Sequence, residues 1–105
     1  MPVKLVVLYP YPKDVEAFDR VYVAEHVPLV ADKVPGVLRY VLSRALGMSA
    51  GALPFYLMAE LYFSSLEVLG AIPPQIWQEL QAHAASISTG GVPISFVCTE
   101  ETVNG

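Results

Sequence analysis

His26 is the residue of this sequence best suited to proton chemistry. An imidazole titrates near neutral pH, and burial moves that titration. His26 stands one turn after Tyr22, on the apolar stripe of a helical segment that also carries Phe18 and Leu29. In that place it is either a general acid or base beside a pocket, or a core histidine with one satisfied hydrogen bond. Glu60 is the second candidate. A carboxylate inside an apolar, strand-like run is costly unless it is paired or neutralised. Its partner is expected to be Arg39 or Arg44 across a sheet, or His26 beneath a helix. Tyr22, Tyr40, Tyr56 and Tyr62 are placed to bring hydroxyls to a pocket. The reading is that His26 transfers a proton, Tyr22 or Glu60 orients it, and Phe18, Leu29, Tyr56, Met58 and Tyr62 line the substrate pocket. In a regular strand Glu60 shares a face with Tyr56, Met58 and Tyr62. That face, with its hydroxyls and carboxylate, is expected to look toward the helices.

Other chemistries lack their residues. Gly90-Gly91 leads into a strand-like run, not a helix, so no phosphate-binding loop is set up. His26 and His83 are far apart in sequence, and there is no His-x-x-His or Cys-x-x-Cys spacing, so no metal site is expected. No Gly-x-Ser-x-Gly element occurs, and Cys98, without adjacent bases, reads as inert core. The expectation is chemistry without a nucleotide, flavin or metal cofactor.

The elements that must hold these residues are punctuated clearly. Val3 to Tyr9 is a strand, stopped by Pro10 and Pro12. Asp14 caps a helix that runs to about Lys33, with Pro28 loosening the turn that holds Ala24. Pro35-Gly36 is a turn, Val37 to Leu46 a second strand, Gly47 to Pro54 a loop of small residues, and Phe55 to Phe63 a third strand. Ser64 or Ser65 caps a second helical region, interrupted at Pro73-Pro74 and resumed from Gln75 to about Ala85. Gly90-Gly91 is a turn and Val92 to Thr99 the last strand. The order β-α-β-β-α-β over residues 1–105 predicts one ferredoxin-like α+β sandwich.

Composition adds a partner. The chain has 105 residues, 54% hydrophobic and 15% charged, more apolar than an ordinary soluble domain. Phe55, Leu57, Ala59, Leu61 and Phe63 alternate with Tyr56, Met58, Glu60 and Tyr62, so both faces of the third strand are apolar. A chain this short has no third layer to cover the second face. A second copy is expected to cover it, giving a homodimer packed sheet to sheet. The remaining apolar surface suits a pocket for a small apolar ligand. The net charge is −4, and the six Lys and Arg are scattered singly, which argues against nucleic acid and against an anionic membrane surface. No apolar run approaches the roughly 20 residues of a membrane span. The single cysteine and the absence of a signal-like start suggest a cytoplasmic protein.

Several segments together resemble the EthD family. They are Leu8-Tyr9-Pro10, Phe18-Asp19-Arg20-Val21-Tyr22, His26-Val27-Pro28-Leu29, Pro35-Gly36-Val37, Ala59-Glu60-Leu61-Tyr62-Phe63-Ser64-Ser65-Leu66-Glu67 and Gly90-Gly91-Val92. The resemblance covers about residues 3 to 100 and implies a dimeric α+β barrel. The resemblance also implies kinship with isomerases, polyketide dehydratases and decarboxylases, and small monooxygenases of that superfamily, several of which work without a cofactor in a pocket between sheet and helices. The resemblance maps the family histidine onto His26 and its strand glutamate onto Glu60. The alternative it leaves is a non-catalytic ligand-binding or accessory protein of a degradation pathway. The chain departs from the family pattern at Ala82–Gly91, where His83, Ser86 and Ile87 replace the usual Asp, Asn and Phe. It departs again at Pro73-Pro74, followed by Trp77, which implies an altered pocket mouth.

Overall fold

The computed structural model describes residues 2–47, 51 and 54–104. The chain runs β1 (Val3–Tyr9), α1 (Val15–Val21), a π-helical turn (Tyr22–His26), α2 (Val27–Lys33), β2 (Arg39–Arg44), β3 (Leu57–Phe63), α3 (Leu66–Gly70), α4 (Pro74–Ile87) and β4 (Ile94–Thr99). The sheet order is β2-β3-β1-β4, and every neighbouring pair is antiparallel. Each helical region carries the chain past one intervening strand, which is the ferredoxin-like α+β fold expected from the element order.

The caps act as the sequence predicts. The Asp14 carboxylate accepts a hydrogen bond from the Ala17 N–H at 3.1 Å, and the Ser65 hydroxyl accepts from the Val68 N–H at 3.2 Å. Pro74 opens α4, where its missing N–H costs nothing. Pro28 does more than loosen its turn. It cannot donate to the Ala24 carbonyl, and the Val27 N–H instead reaches back five residues to the Tyr22 carbonyl. The helix absorbs one extra residue there and continues.

Three strands begin later than expected. β2 is shorter than Val37–Leu46, although the Leu38 N–H still donates to the Tyr62 carbonyl and the Ala45 N–H to the Tyr56 carbonyl. β3 starts at Leu57, because Tyr56 turns its N–H to the end of β1, at the Tyr9 carbonyl. β4 starts at Ile94, after Pro93, which has no N–H to give to a ladder. Most of the loop expected over Gly47 to Pro54 lies outside the described residues. At the turn before β4, a side chain on Gly90 would run into the backbone carbonyl of Tyr11, so only glycine fits.

Residues paired across the sheet share a face. Leu5, Val7 and Tyr9 lie with Leu57, Ala59 and Leu61, with Tyr40 and Leu42, and with Ser95 and Val97. This is the side the helices cover. Lys4, Val6 and Leu8 lie with Met58, Glu60 and Tyr62, with Val41, and with Ile94, Phe96 and Cys98 on the other side. The helix side holds two core clusters, one centred on Phe63, Val30 and Leu80, the other aromatic, around Tyr9, Phe18 and Tyr22. Among the described residues no helix is long and apolar enough to cross a membrane.

Candidate active site

A cavity of about 630 Å³ lies between the sheet and the helices. Leu5, Val7, Ala59 and Leu61 form its floor, and Val30, Leu69, Trp77 and Leu80 its helical wall. Its polar end is made by Tyr9, Tyr22, His26 and Tyr40, and none of the described residues that line it is charged. Val92, Pro93, Ser95 and Val97 border its outer side.

His26 is 5% exposed and faces this space, as its register with Phe18 and Tyr22 predicts. The π-turn sets its surroundings. With one residue added, the inward stripe runs Phe18, Tyr22, His26, Val30, all buried, instead of passing through Leu29. Val30 therefore lines the cavity, while Leu29 packs at the edge of the Phe63 cluster. The expectation that Leu29 contacts substrate is corrected accordingly.

Three groups touch the imidazole. The Tyr22 ring lies 5.0 Å away, centroid to centroid. The Tyr9 hydroxyl is 3.4 Å from Nε2, a long contact. The His83 Nδ1, on α4, is 2.9 Å from the His26 Nδ1. Burial, and then the nearby His83, lower the His26 pKa from 6.5 to about 4, so the ring is neutral at pH 7. Tyr22 and Tyr40 share a hydroxyl–hydroxyl bond of 2.6 Å. Burial raises the pKa values of Tyr9, Tyr22 and Tyr40, which keep their protons and remain donors.

The other expected site residues divide. Phe18 and Tyr56, expected to line the pocket, do not line the cavity; they form an aromatic wall behind Tyr9 and Tyr22, 5.9 Å apart at their ring centroids. The Tyr56 hydroxyl donates to Asp19 at 2.8 Å, and Asp19 also accepts from the Arg44 guanidinium at 3.2 Å. Tyr56 falls on the helix side because it precedes the regular strand, so its parity is not that of Met58, Glu60 and Tyr62. Those three lie on the opposite face of the sheet and take no part in the cavity. The expectation that Glu60 approaches His26 is thus overturned. Its carboxylate accepts from the Lys4 ammonium at 2.6 Å and from the Tyr62 hydroxyl at 3.5 Å. Lys4, not Arg39 or Arg44, is its partner, because register places Lys4 beside it diagonally on β1. Arg39 lies over the Tyr62 ring instead.

Tyr9, Trp77 and His83 were not read from the sequence as site residues. Tyr9 follows from the two-residue period of β1. Trp77 and His83 lie in the segments that depart from the family pattern, which was the signal available for them.

The fold and site define a ferredoxin-like α+β domain with an apolar cavity between its two layers, closed at one end by histidine and tyrosines. The EthD domain model matches residues 11–87. The chain is 34% identical over 101 residues to an uncharacterized 11.0 kDa protein from the thcB-thcC intergenic region of Rhodococcus erythropolis, covering 95% of this chain and 96% of that one. The crystal structure of an ethyl tert-butyl ether d (EthD) family protein from Bacillus halodurans superposes with a TM-score of 0.82 at 31% identity, over 96% of this chain and all of that one. The chain belongs to the EthD family. SnoaB, a cofactor-independent oxygenase from Streptomyces nogalater, superposes with a TM-score of 0.67 at 13% identity, over 97% of this chain and 95% of that one, and shares the fold.

Proposed function

We propose that this protein takes a small, neutral, mostly apolar organic compound into the cavity and moves a proton on it with His26, without a cofactor. The observation that carries the reading is a buried, neutral imidazole on the wall of a 630 Å³ cavity whose described lining holds no charge. Such a lining offers no counter-charge to an ionic ligand and suits an apolar body with one polar end. In the Tyr22–Tyr40 pair one hydroxyl donates to the other, which leaves one O–H to donate to an oxygen of that end, where charge develops as a proton leaves a neighbouring carbon. The chemistry fits an isomerase, lyase or monooxygenase-like step.

The test is proton exchange in D2O at the α-carbon of a neutral bicyclic ketone such as 2-tetralone. The wild type is expected to accelerate exchange, and His26→Gln to lose roughly 10²- to 10⁴-fold of that rate while still binding the ketone. Equal exchange rates in the two proteins contradict catalysis by His26. The lowered pKa of His26, which weakens it as a base, favours a second reading. In that reading the protein binds the compound as an accessory of a degradation pathway and transforms nothing.

The same reading includes a homodimer formed through the sheet face away from the helices. Ile94 and Phe96 stand 61% and 44% exposed there in the single chain, with Met58 and Tyr62 beside them. A sheet-to-sheet interface is expected to bury on the order of 2,000 Å² or more. Sedimentation at micromolar concentration is expected to show twice the mass of one chain, and a single species of 11.4 kDa contradicts it.

A further inference from the structure

The contact between His26 and His83 has a geometry that constrains a proton. The two imidazole planes lie within 10° of parallel, with centroids 5.1 Å apart and the two Nδ1 atoms at 2.9 Å. Stacked rings keep their planes roughly 3.5 Å apart, farther than the two Nδ1 atoms stand, so these two meet edge to edge, nitrogen to nitrogen. A bond between two imidazole nitrogens needs one proton between them: one Nδ1 donates and the other accepts. The far nitrogen of His83, Nε2, lies 3.7 Å from a carboxylate oxygen of Glu25. That is too long for a hydrogen bond, yet near enough for the charge to favour a proton on Nε2. The groups around His26 are its neighbour Tyr22, Tyr9 on β1 and His83 on α4, with Glu25 beyond His83.

We propose that His83, oriented by Glu25, fixes the tautomer of His26, so that His26 carries its proton on Nδ1 and presents a bare Nε2 to the cavity. The alternative tautomer of His83 would aim a lone pair at the Glu25 carboxylate, two acceptors facing each other. With His83 protonated on Nε2, its Nδ1 must accept, and the Nδ1–H of His26 is the donor. The Nε2 of His26 is then an acceptor, and the Tyr9 hydroxyl, 3.4 Å away, is too distant to hold its lone pair against a ligand donor. His83 is a positioning residue here. Its consequence, which rests on the cavity reading above, is a substrate class: neutral apolar compounds whose polar end carries a donor, an enol or phenol O–H or an acidic C–H. When Nε2 takes that proton, the Nδ1 proton passes to His83, which becomes an imidazolium beside Glu25.

The tautomer is read in the ligand-free protein by long-range 1H–15N spectra of the histidine rings near pH 7.5. The wild-type His26 is expected with Nδ1 protonated and Nε2 bare. His83→Asn keeps an acceptor near the Nδ1 position and is expected to keep that tautomer, whereas His83→Leu and Glu25→Gln are expected to raise the Nε2–H fraction, the former to the major form. A wild-type His26 carrying Nε2–H, or a tautomer unmoved in both His83→Leu and Glu25→Gln, overturns the proposal. If His83→Leu does not fold, the exposed Glu25→Gln variant decides alone. The substrate class is tested with 2-naphthol against 2-methoxynaphthalene, read by fluorescence of Trp77, the only tryptophan. The naphthol is expected to bind about tenfold tighter, the worth of one hydrogen bond. Equal affinities overturn the substrate class and leave the cavity reading standing. Binding of neither compound defeats the cavity reading and the substrate class together, while the spectra still decide the tautomer.

Discussion

The two faces of the sheet are built from alternate residues of the same four strands and do different things. On the helix side Leu57, Ala59, Leu61 and Phe63 are buried in the single chain, and the residual space between layers is an uncharged cavity ending at His26. On the other side the Lys4 ammonium, paired with Glu60 at 2.6 Å and with Glu100 at 3.5 Å, sits among Met58, Tyr62 and Phe96, with no layer of this chain over it. Both faces are apolar, yet only the helix side is covered by a layer of this chain, and only there does a space remain whose polar lining is neutral. Hydrophobicity alone therefore does not say where a binding site is. What separates the faces is whether the polar groups meet as neutral hydrogen-bonding partners around a space, or as opposite charges that satisfy each other.

The sharpest contrast between the faces is in stability. Leu57→Ala, at a position with no exposure, is expected to cost about 2–5 kcal/mol. Met58→Ala, its partly buried neighbour on the opposite face, is expected to cost below about 1.5 kcal/mol in the isolated chain. Urea denaturation of both variants at concentrations that hold the protein monomeric checks this, and similar losses would erase the distinction.

The helix side should also carry a pH signature that the other lacks. The folded His26 pKa of about 4 lies below the ordinary 6.5, so the unfolded chain binds a proton first as pH falls. Stability is expected to fall between about pH 6.5 and pH 4, by on the order of 3 kcal/mol, and to level off below. His26→Gln should remove that slope, as measured by denaturation across the range. A slope that survives the substitution belongs to another group.

Glu60→Gln probes the other face. It takes the nearer carboxylate from the Lys4 ammonium, whose pKa is raised chiefly by its bond to Glu60, and leaves only Glu100 at 3.5 Å. The expected cost is about 1–3 kcal/mol. The His26 titration followed by NMR is expected to stay where it is, and a moved His26 pKa would mean that the two faces communicate. The smallest effect expected is at Asp14→Ala, about 1 kcal/mol from a lost helix cap, with no change at either face, checked by thermal unfolding.

Much of this arrangement was legible in the sequence. Proline, glycine and capping residues mark the element order, and the spacing of Phe18, Tyr22 and His26 places the imidazole inside. Three features were not legible, for separate physical reasons. The π-turn shifts the stripe from Leu29 to Val30, and periodicity assumes a regular helix. The side on which Glu60 lies cannot be read from alternation when both alternating sets are apolar. His83 reaches His26 only through packing of α4 against the π-turn, a contact 57 residues apart in the chain, and helical spacing around Leu80 and Ala84 gives no more than its face.

The central claim is that the cavity beside His26 receives a neutral apolar compound. Trp77 lines that cavity, so its fluorescence reports occupancy. Titration at neutral pH with a panel of naphthols, tetralones and bicyclic lactones is expected to give a saturable change, with one compound bound per chain and a simultaneous shift of the His26 ring resonances. Fluorescence that changes only linearly with every compound, with His26 unmoved, would contradict the account.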